Sequence, residues 1–144
     1  KIGDLNVSKI LNRMCTASTQ TGTPYFASPE IWNDKPYDYK CDIWSVGCII
    51  YEMASLHVPF RGTSMQNLYQ NVLRGIYQQI PMNYSDKLRK IIKQILVVNP
   101  KNRPSSAELL ENPIIKQKMN ELGLSKYNNL KNEEKARLMK TIKI

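Results

Sequence analysis

Glycine is scarce. Six stand in 144 residues, at positions 3, 22, 47, 62, 75 and 123, and nowhere do they form the G-x-G-x-x-G run that cradles phosphates. Histidine occurs once, as His57. It sits beside Pro59 at what reads as a helix end, as a surface or packing residue rather than a ligand. Cysteine is limited to Cys15, Cys41 and Cys48. An odd number without C-x-x-C spacing excludes a disulfide framework and a zinc site and suggests reduced, intracellular thiols. No apolar run nears the roughly 20 residues of a spanning helix, so no membrane span is expected. No basic-then-apolar leader opens the chain, so nothing in it points to secretion.

What is present is an ordinary globular balance, 42% apolar and 23% charged residues, in a length that suits one domain with a core. The net charge is +9. From Lys116 onward eight Lys/Arg face three Glu, so +5 of that charge lies in the last 29 residues. This tail reads either as a solvated surface or as a contact for an acidic partner, microtubule-like in character. Aromatic and basic residues do not interleave there, so nucleic acid is not expected.

Residues 1–10 suggest two short strands around a turn at Asp4-Leu5-Asn6. Residues 12–30 have little periodicity and many small polar residues, which predicts a long loop of the kind that carries function. From Asp42 to about Leu56, Ile43, Trp44, Val46, Ile49, Ile50, Tyr51, Met53 and Ala54 wrap every side of a helix, which predicts a buried central helix. Residues 63–74 repeat apolar positions at helical spacing, with Thr63 and Gln66 as a capping box and Gly75 as the stop. Residues 86–98 do the same, with Ser85 as cap. Ser105 and Glu108 suggest another capping box, and Pro113 ends that helix or starts the next. From Asn132, Glu133 and Glu134 precede lysines in the order that favours a helix dipole. The expectation is a mainly α body behind a short β pair and a polar loop.

Four stretches stand in order: DLN at Asp4, GTPYFASPE at Gly22–Glu30, DIWSVG at Asp42–Gly47, and NPKNRPS at Asn99–Ser105. In this order and spacing they resemble the C-terminal lobe of a eukaryotic protein kinase. DLNVSK, TQTGTPYFASPE and DIWSVGCIIYEMA resemble the NIMA-related serine/threonine kinases in particular. The resemblance covers residues 1–118 as a partial kinase domain and leaves 119–144 as a basic helical extension.

The resemblance implies roles residue by residue. Asp4 matches the aspartate that holds Mg²⁺ against the ATP phosphates, a task that suits a hard carboxylate oxygen. Leu5 and Asn6 replace the Phe and Gly of that motif, and Asn is the non-glycine residue best able to visit left-handed backbone. Thr23 matches the threonine beside the catalytic aspartate, which points to Ser or Thr as acceptor. Thr19, with Ser18 and Thr21 beside it, matches the usual activating phosphorylation position; a phosphate there adds nearly two negative charges. Ser28-Pro29-Glu30 matches A-P-E with Ser for Ala, and Glu30 is expected to pair with Arg103 in a structural role. Asp42 matches the aspartate that accepts backbone N–H groups of the catalytic loop, while its place at a helix start is favourable in itself. Trp44 and Gly47 match close-packing positions.

The Gly-rich loop, the strand lysine with its glutamate, and H-R-D-x-x-x-x-N do not occur in this sequence. The resemblance would put H-R-D just ahead of Lys1. The expectation is therefore a part of an ATP- and Mg²⁺-dependent Ser/Thr protein kinase acting on protein substrates, inactive as this segment alone. The alternatives are a pseudokinase or a protein-interaction platform with the same fold. Family analogy suggests a cytoplasmic place associated with the cytoskeleton or cilium.

Overall fold

The computed structural model describes residues 24–124. The strand pair expected over 1–10 and the helix expected from Asn132 lie outside them, as do Asp4, Thr19 and Thr23. The described residues fall in two compact units, 24–107 and 108–124. They are helical, with no strand element among them.

The first unit opens with a 3₁₀ turn at Pro24–Phe26 and the single-turn helix α1, Pro29–Trp32. The expected loop therefore contains two short helical turns. Pro29 stands at the first helical position, where its fixed φ and missing N–H cost nothing. The long helix α2 runs Lys40–Ser55. Its start is tied by the Asp38 carboxylate, which accepts from the Lys40 N–H at 2.8 Å.

Trp44, Cys48 and Tyr51 line one face of α2 and are fully buried, and Ala54 continues that face. Burial at the roughly 1.5–3 kcal/mol typical of a large apolar side chain makes this face the centre of the core. Leu68 and Val72 of α3, Met65–Arg74, and Ile92 of α4, Asp86–Ile95, complete it with Phe60, Ile80 and Leu96. Gly47 lets α4 approach: a Cβ there would collide with Ile95 and stand 2.9 Å from Leu96 Cδ2.

The expectation that α2 is buried all round is corrected. Val46, Ile49 and Met53 are 44%, 48% and 73% exposed. They recur at helical spacing on one face. Hydrophobic content marks a helix that prefers burial, but it does not say which neighbours cover each side.

The caps also differ in detail. The cap of α3 is Ser64, not Thr63. Its hydroxyl accepts from the Asn67 N–H at 3.2 Å, and Asn67 returns the favour by accepting from the Thr63 N–H at 3.3 Å. The box is thus shifted one residue, with Asn67 replacing Gln66. Gly75 ends α3 at φ 64°, as its residue type suits. Ser85 caps α4 by accepting from the Leu88 N–H. That helix stops at Ile95 rather than near Val98, where the chain turns off and frees the Val97 and Val98 carbonyls for other donors.

Helix α5, Ser106–Glu111, begins directly after Ser105. In the second unit α6 spans Pro113–Glu121, capped by Asn112, whose Oδ1 accepts from the Ile114 N–H at 2.9 Å. Pro113 thus begins a helix. Lys116 pairs with Glu111 and Lys118 with Glu121, both exposed pairs of small energetic weight. No described helix is long and apolar enough to cross a membrane.

Leu56 closes α2 in the left-handed region, at φ 58°, with its side chain 89% exposed. A non-glycine residue pays about 1–2 kcal/mol there, less the backbone entropy glycine loses on folding. Leu56→Gly is expected to stabilise the fold by about 0.5–1 kcal/mol, read as a raised midpoint in chemical denaturation.

Candidate functional site

The site is built from two short turns. Pro29 starts α1 and so aims Glu30 inward, where it is 5% exposed. At the other end a 3₁₀ turn, Pro100–Asn102, is held by Asn99, whose side chain accepts from the Lys101 N–H at 3.0 Å. That turn delivers Arg103 into the core at 1% exposure.

Glu30 and Arg103 meet in a two-point pair. Arg103 Nη1 donates to Glu30 Oε1 at 2.8 Å and Nη2 to Oε2 at 3.0 Å. The guanidinium has five N–H donors in a fixed fork, and each finds an acceptor. The remaining three go to the carbonyls of Lys40 at 2.6 Å, Val97 at 3.1 Å and Val98 at 3.4 Å. Its face lies 5.1 Å from the Trp44 ring, which itself stacks on Phe60 at 5.2 Å. Burying two charges costs several kcal/mol per ion unless both are fully hydrogen-bonded and paired. Here the donors of the cation are matched one by one.

Other contacts fix the surrounding segment. Ser45 Oγ donates to the Phe26 carbonyl at 3.0 Å, tying the 24–26 turn to α2. Tyr69 OH donates to Asn33 Oδ1 at 2.9 Å, and its ring lies 5.8 Å from that of Trp32, tying α1 to α3. Ser28 Oγ is buried without a hydrogen-bond partner among the described residues.

Of the residues singled out from the sequence, Glu30, Arg103 and Trp44 are brought together. Asp42 stands in the first turn of α2, exposed, where its charge suits the helix start. Its Oδ1 accepts a weak hydrogen bond from Cys41 Sγ at 3.7 Å. His57 packs its ring 5.7 Å from that of Tyr51, with Nδ1 3.1 Å from the Val58 carbonyl. Asp4, Thr19 and Thr23 lie outside the described residues. Sequence reasoning missed Ser45 and Tyr69 as ties of the segment; Ser45 lies within the DIWSVG stretch, whereas no sequence signal marks the Lys40, Val97 and Val98 carbonyls.

Two thiols border the site. Burial pushes Cys41 from an ordinary 9.0 up to about 12, helped by the Asp42 and Glu30 carboxylates and opposed by Arg103. Burial likewise pushes Cys48 up to about 12, opposed by Arg103. Both are therefore inert thiols rather than nucleophiles. Among the described residues no group of three His, Cys, Asp or Glu is placed to hold a metal ion.

Comparison with known proteins adds to this geometry. The family described as "Protein kinase domain" matches residues 1–115. The chain is 47% identical over 119 residues, 81% of its length, to the "Probable serine/threonine-protein kinase nek3" of Dictyostelium discoideum, covering 11% of that protein. It is 43% identical over 116 residues, 80% of its length, to the human "Serine/threonine-protein kinase Nek2", covering 26% of it. It is 37% identical over 137 residues, 95% of its length, to the "G2-specific protein kinase nimA" of Emericella nidulans, covering 19% of it. The chain spans between 11% and 26% of the length of these three curated relatives.

Two outcomes follow from the buried groups. Arg103→Ala is expected to destabilise the fold by about 3–5 kcal/mol in denaturant titration, because it leaves the Glu30 carboxylate buried and unpaired. The raised thiol pKa values favour the folded state fully below the unfolded value of 9.0 and cease to as pH rises toward about 12. The melting temperature is therefore expected to fall as pH rises from about 9 toward about 12, with a smaller fall in Cys48→Ala than in the unsubstituted chain.

Proposed function

The chain belongs to the protein kinase domain family and, within it, to the NIMA-related serine/threonine kinases, and from that premise we propose that it serves ATP-dependent phosphoryl transfer to Ser or Thr hydroxyls of proteins. The observation that carries this reading is the Glu30–Arg103 pair. It joins the SPE and NPKNRPS stretches, 73 residues apart in sequence, in the arrangement the family resemblance implies. We assign residues 1–118 to the substrate-side, C-terminal lobe of the kinase and 119–144 to a basic extension.

In this reading Glu30 and Arg103 are structural. They hold the end of the stretch from Asp4 to Glu30, which resembles a kinase activation segment, against α2, so that what precedes Glu30 has a fixed base. Transfer of a phosphoryl group depends chiefly on positioning and charge stabilisation, which makes such a base useful. The Mg²⁺ ion, when bound with ATP, neutralises charge on the phosphates. The residue that would hold it is Asp4, whose carboxylate is the hard oxygen donor such an ion takes; the described residues contribute no acidic cluster of their own. Thr23 would orient the acceptor hydroxyl, and phosphate on Thr19 would order the segment. Asp42 would anchor the catalytic loop from the start of α2, and the bare face formed by Val46, Ile49 and Met53 would be covered by the rest of the lobe. The basic extension would favour acidic partners such as cytoskeletal surfaces, in the cytoplasm or at the cilium.

The test is transfer of labelled γ-phosphate from Mg-ATP to a protein carrying Ser and Thr, by the whole protein that contains this chain. Asp4→Ala is expected to lower the rate by about a hundredfold or more without lowering the melting temperature. Thr19→Ala is expected to lower it as well. Undiminished transfer by the Asp4→Ala protein would reject the assignment.

A further inference from the structure

The segment after α3 and the outer side of α4 enclose a groove of about 490 Å³. Its floor is apolar, formed by the buried residues Ile80, Ile92 and Leu96 with Tyr77 beside them. Ile76 stands at its lip, 71% exposed. Its rim is basic. Arg89, Lys90 and Lys93 line it, and no acidic residue does. Arg89 is ion-paired with Asp86 at 3.0 Å and donates to the Pro81 carbonyl at 3.1 Å, so it braces the edge and the net charge of the rim comes from Lys90 and Lys93. Lys90 and Lys93 are exposed, three residues apart on one face of α4.

We propose that this groove is a docking site for an acidic, amphipathic protein segment, one that sets apolar side chains on the floor and carboxylates against the rim. The volume lies within the range of ligand pockets and takes a few aliphatic or aromatic side chains. Residues 76–81 are neither helix nor strand, so the wall facing α4 is irregular backbone along which a peptide can lie. Charge selects the occupant. Residues 125–144 of this chain carry six Lys/Arg and two Glu, the same sign as the rim, which disfavours the chain's own tail. A second copy, at +9, is disfavoured on the same ground. A nucleic-acid backbone offers phosphates but nothing to bury on Ile80, Ile92 and Leu96. The groove also leans on the buried ion pair, since Val97 lines it and accepts from Arg103. Docking is independent of phosphoryl transfer, so it can be tested by binding alone.

The experiment is fluorescence anisotropy with the 144-residue chain and a labelled peptide, Glu-Glu-Leu-Glu-Glu-Ile-Phe. Saturable binding is expected, weakened about tenfold or more by the charge reversal Lys90→Glu with Lys93→Glu, by Ile76→Ser, and by replacing each Glu of the peptide with Gln. All three substituted positions are on the surface, and unchanged melting temperatures check that they leave the fold intact. Equal binding by the charge-reversed chain, or by the Gln peptide, would overturn the proposal. So would binding of a labelled peptide of residues 125–144, which would give the groove to the tail. Binding of myristate with the same dependence on Lys90 and Lys93, and none of the peptide, would replace the protein segment by a lipid amphiphile.

Discussion

The Arg103 guanidinium is the constraint on which the first unit depends. A buried cation is tolerated only if all of its donors are satisfied, and Arg103 satisfies its five with the Glu30 carboxylate, the Lys40 carbonyl and the carbonyls of the adjacent Val97 and Val98. Glu30 brings α1, Lys40 brings the start of α2, and Val97 and Val98 bring the turn beyond α4. Three segments are therefore held on Arg103 at one point by directional bonds. Apolar packing alone tolerates small slides; a two-point carboxylate–guanidinium pair fixes angle as well as distance. The Trp44 ring beside the guanidinium and the Phe60 ring stacked on it carry this fixed point into the core.

Helix α2 converts that point into a platform. One face packs on α4 through Gly47, where the absence of a side chain allows close approach. Its N-terminal half receives the 24–26 turn through Ser45. Its opposite face presents Val46, Ile49 and Met53 to the surroundings. The groove beside α4 uses the same frame from outside, with a rim whose charge sets it apart from the apolar floor.

Much of this was legible because the residues involved are unusual for their surroundings. A Pro-Glu pair after a polar stretch and an arginine between Asn102 and Pro104 stand out, and the family resemblance links them across 73 residues. Helices α3 and α4 were legible from apolar spacing. What escaped was decided by backbone and by neighbours. The cap of α3 moved to Ser64 because Asn67, not Gln66, could complete the reciprocal bonds. Helix α4 ended early at Ile95, and the carbonyls of the turn that follows accept from a side chain several residues on, which periodicity does not encode. The exposed face of α2 reads as core in sequence because composition carries no record of which side is covered. The groove had no signature at all, since its floor and rim come from an irregular segment and a helix that each look ordinary.

The most direct measurement of the central claim is a double-mutant cycle on the pair, comparing the unfolding free energies of Glu30→Ala, Arg103→Ala and the double substitution with the unsubstituted chain. If the pair is the fixed point, each single change leaves a buried charge behind and the double change costs far less than their sum, with a coupling at the upper end of the roughly 0.5–3 kcal/mol seen for interacting residues. Strictly additive losses would contradict it, because they would mean that Glu30 and Arg103 stabilise the fold through separate contacts.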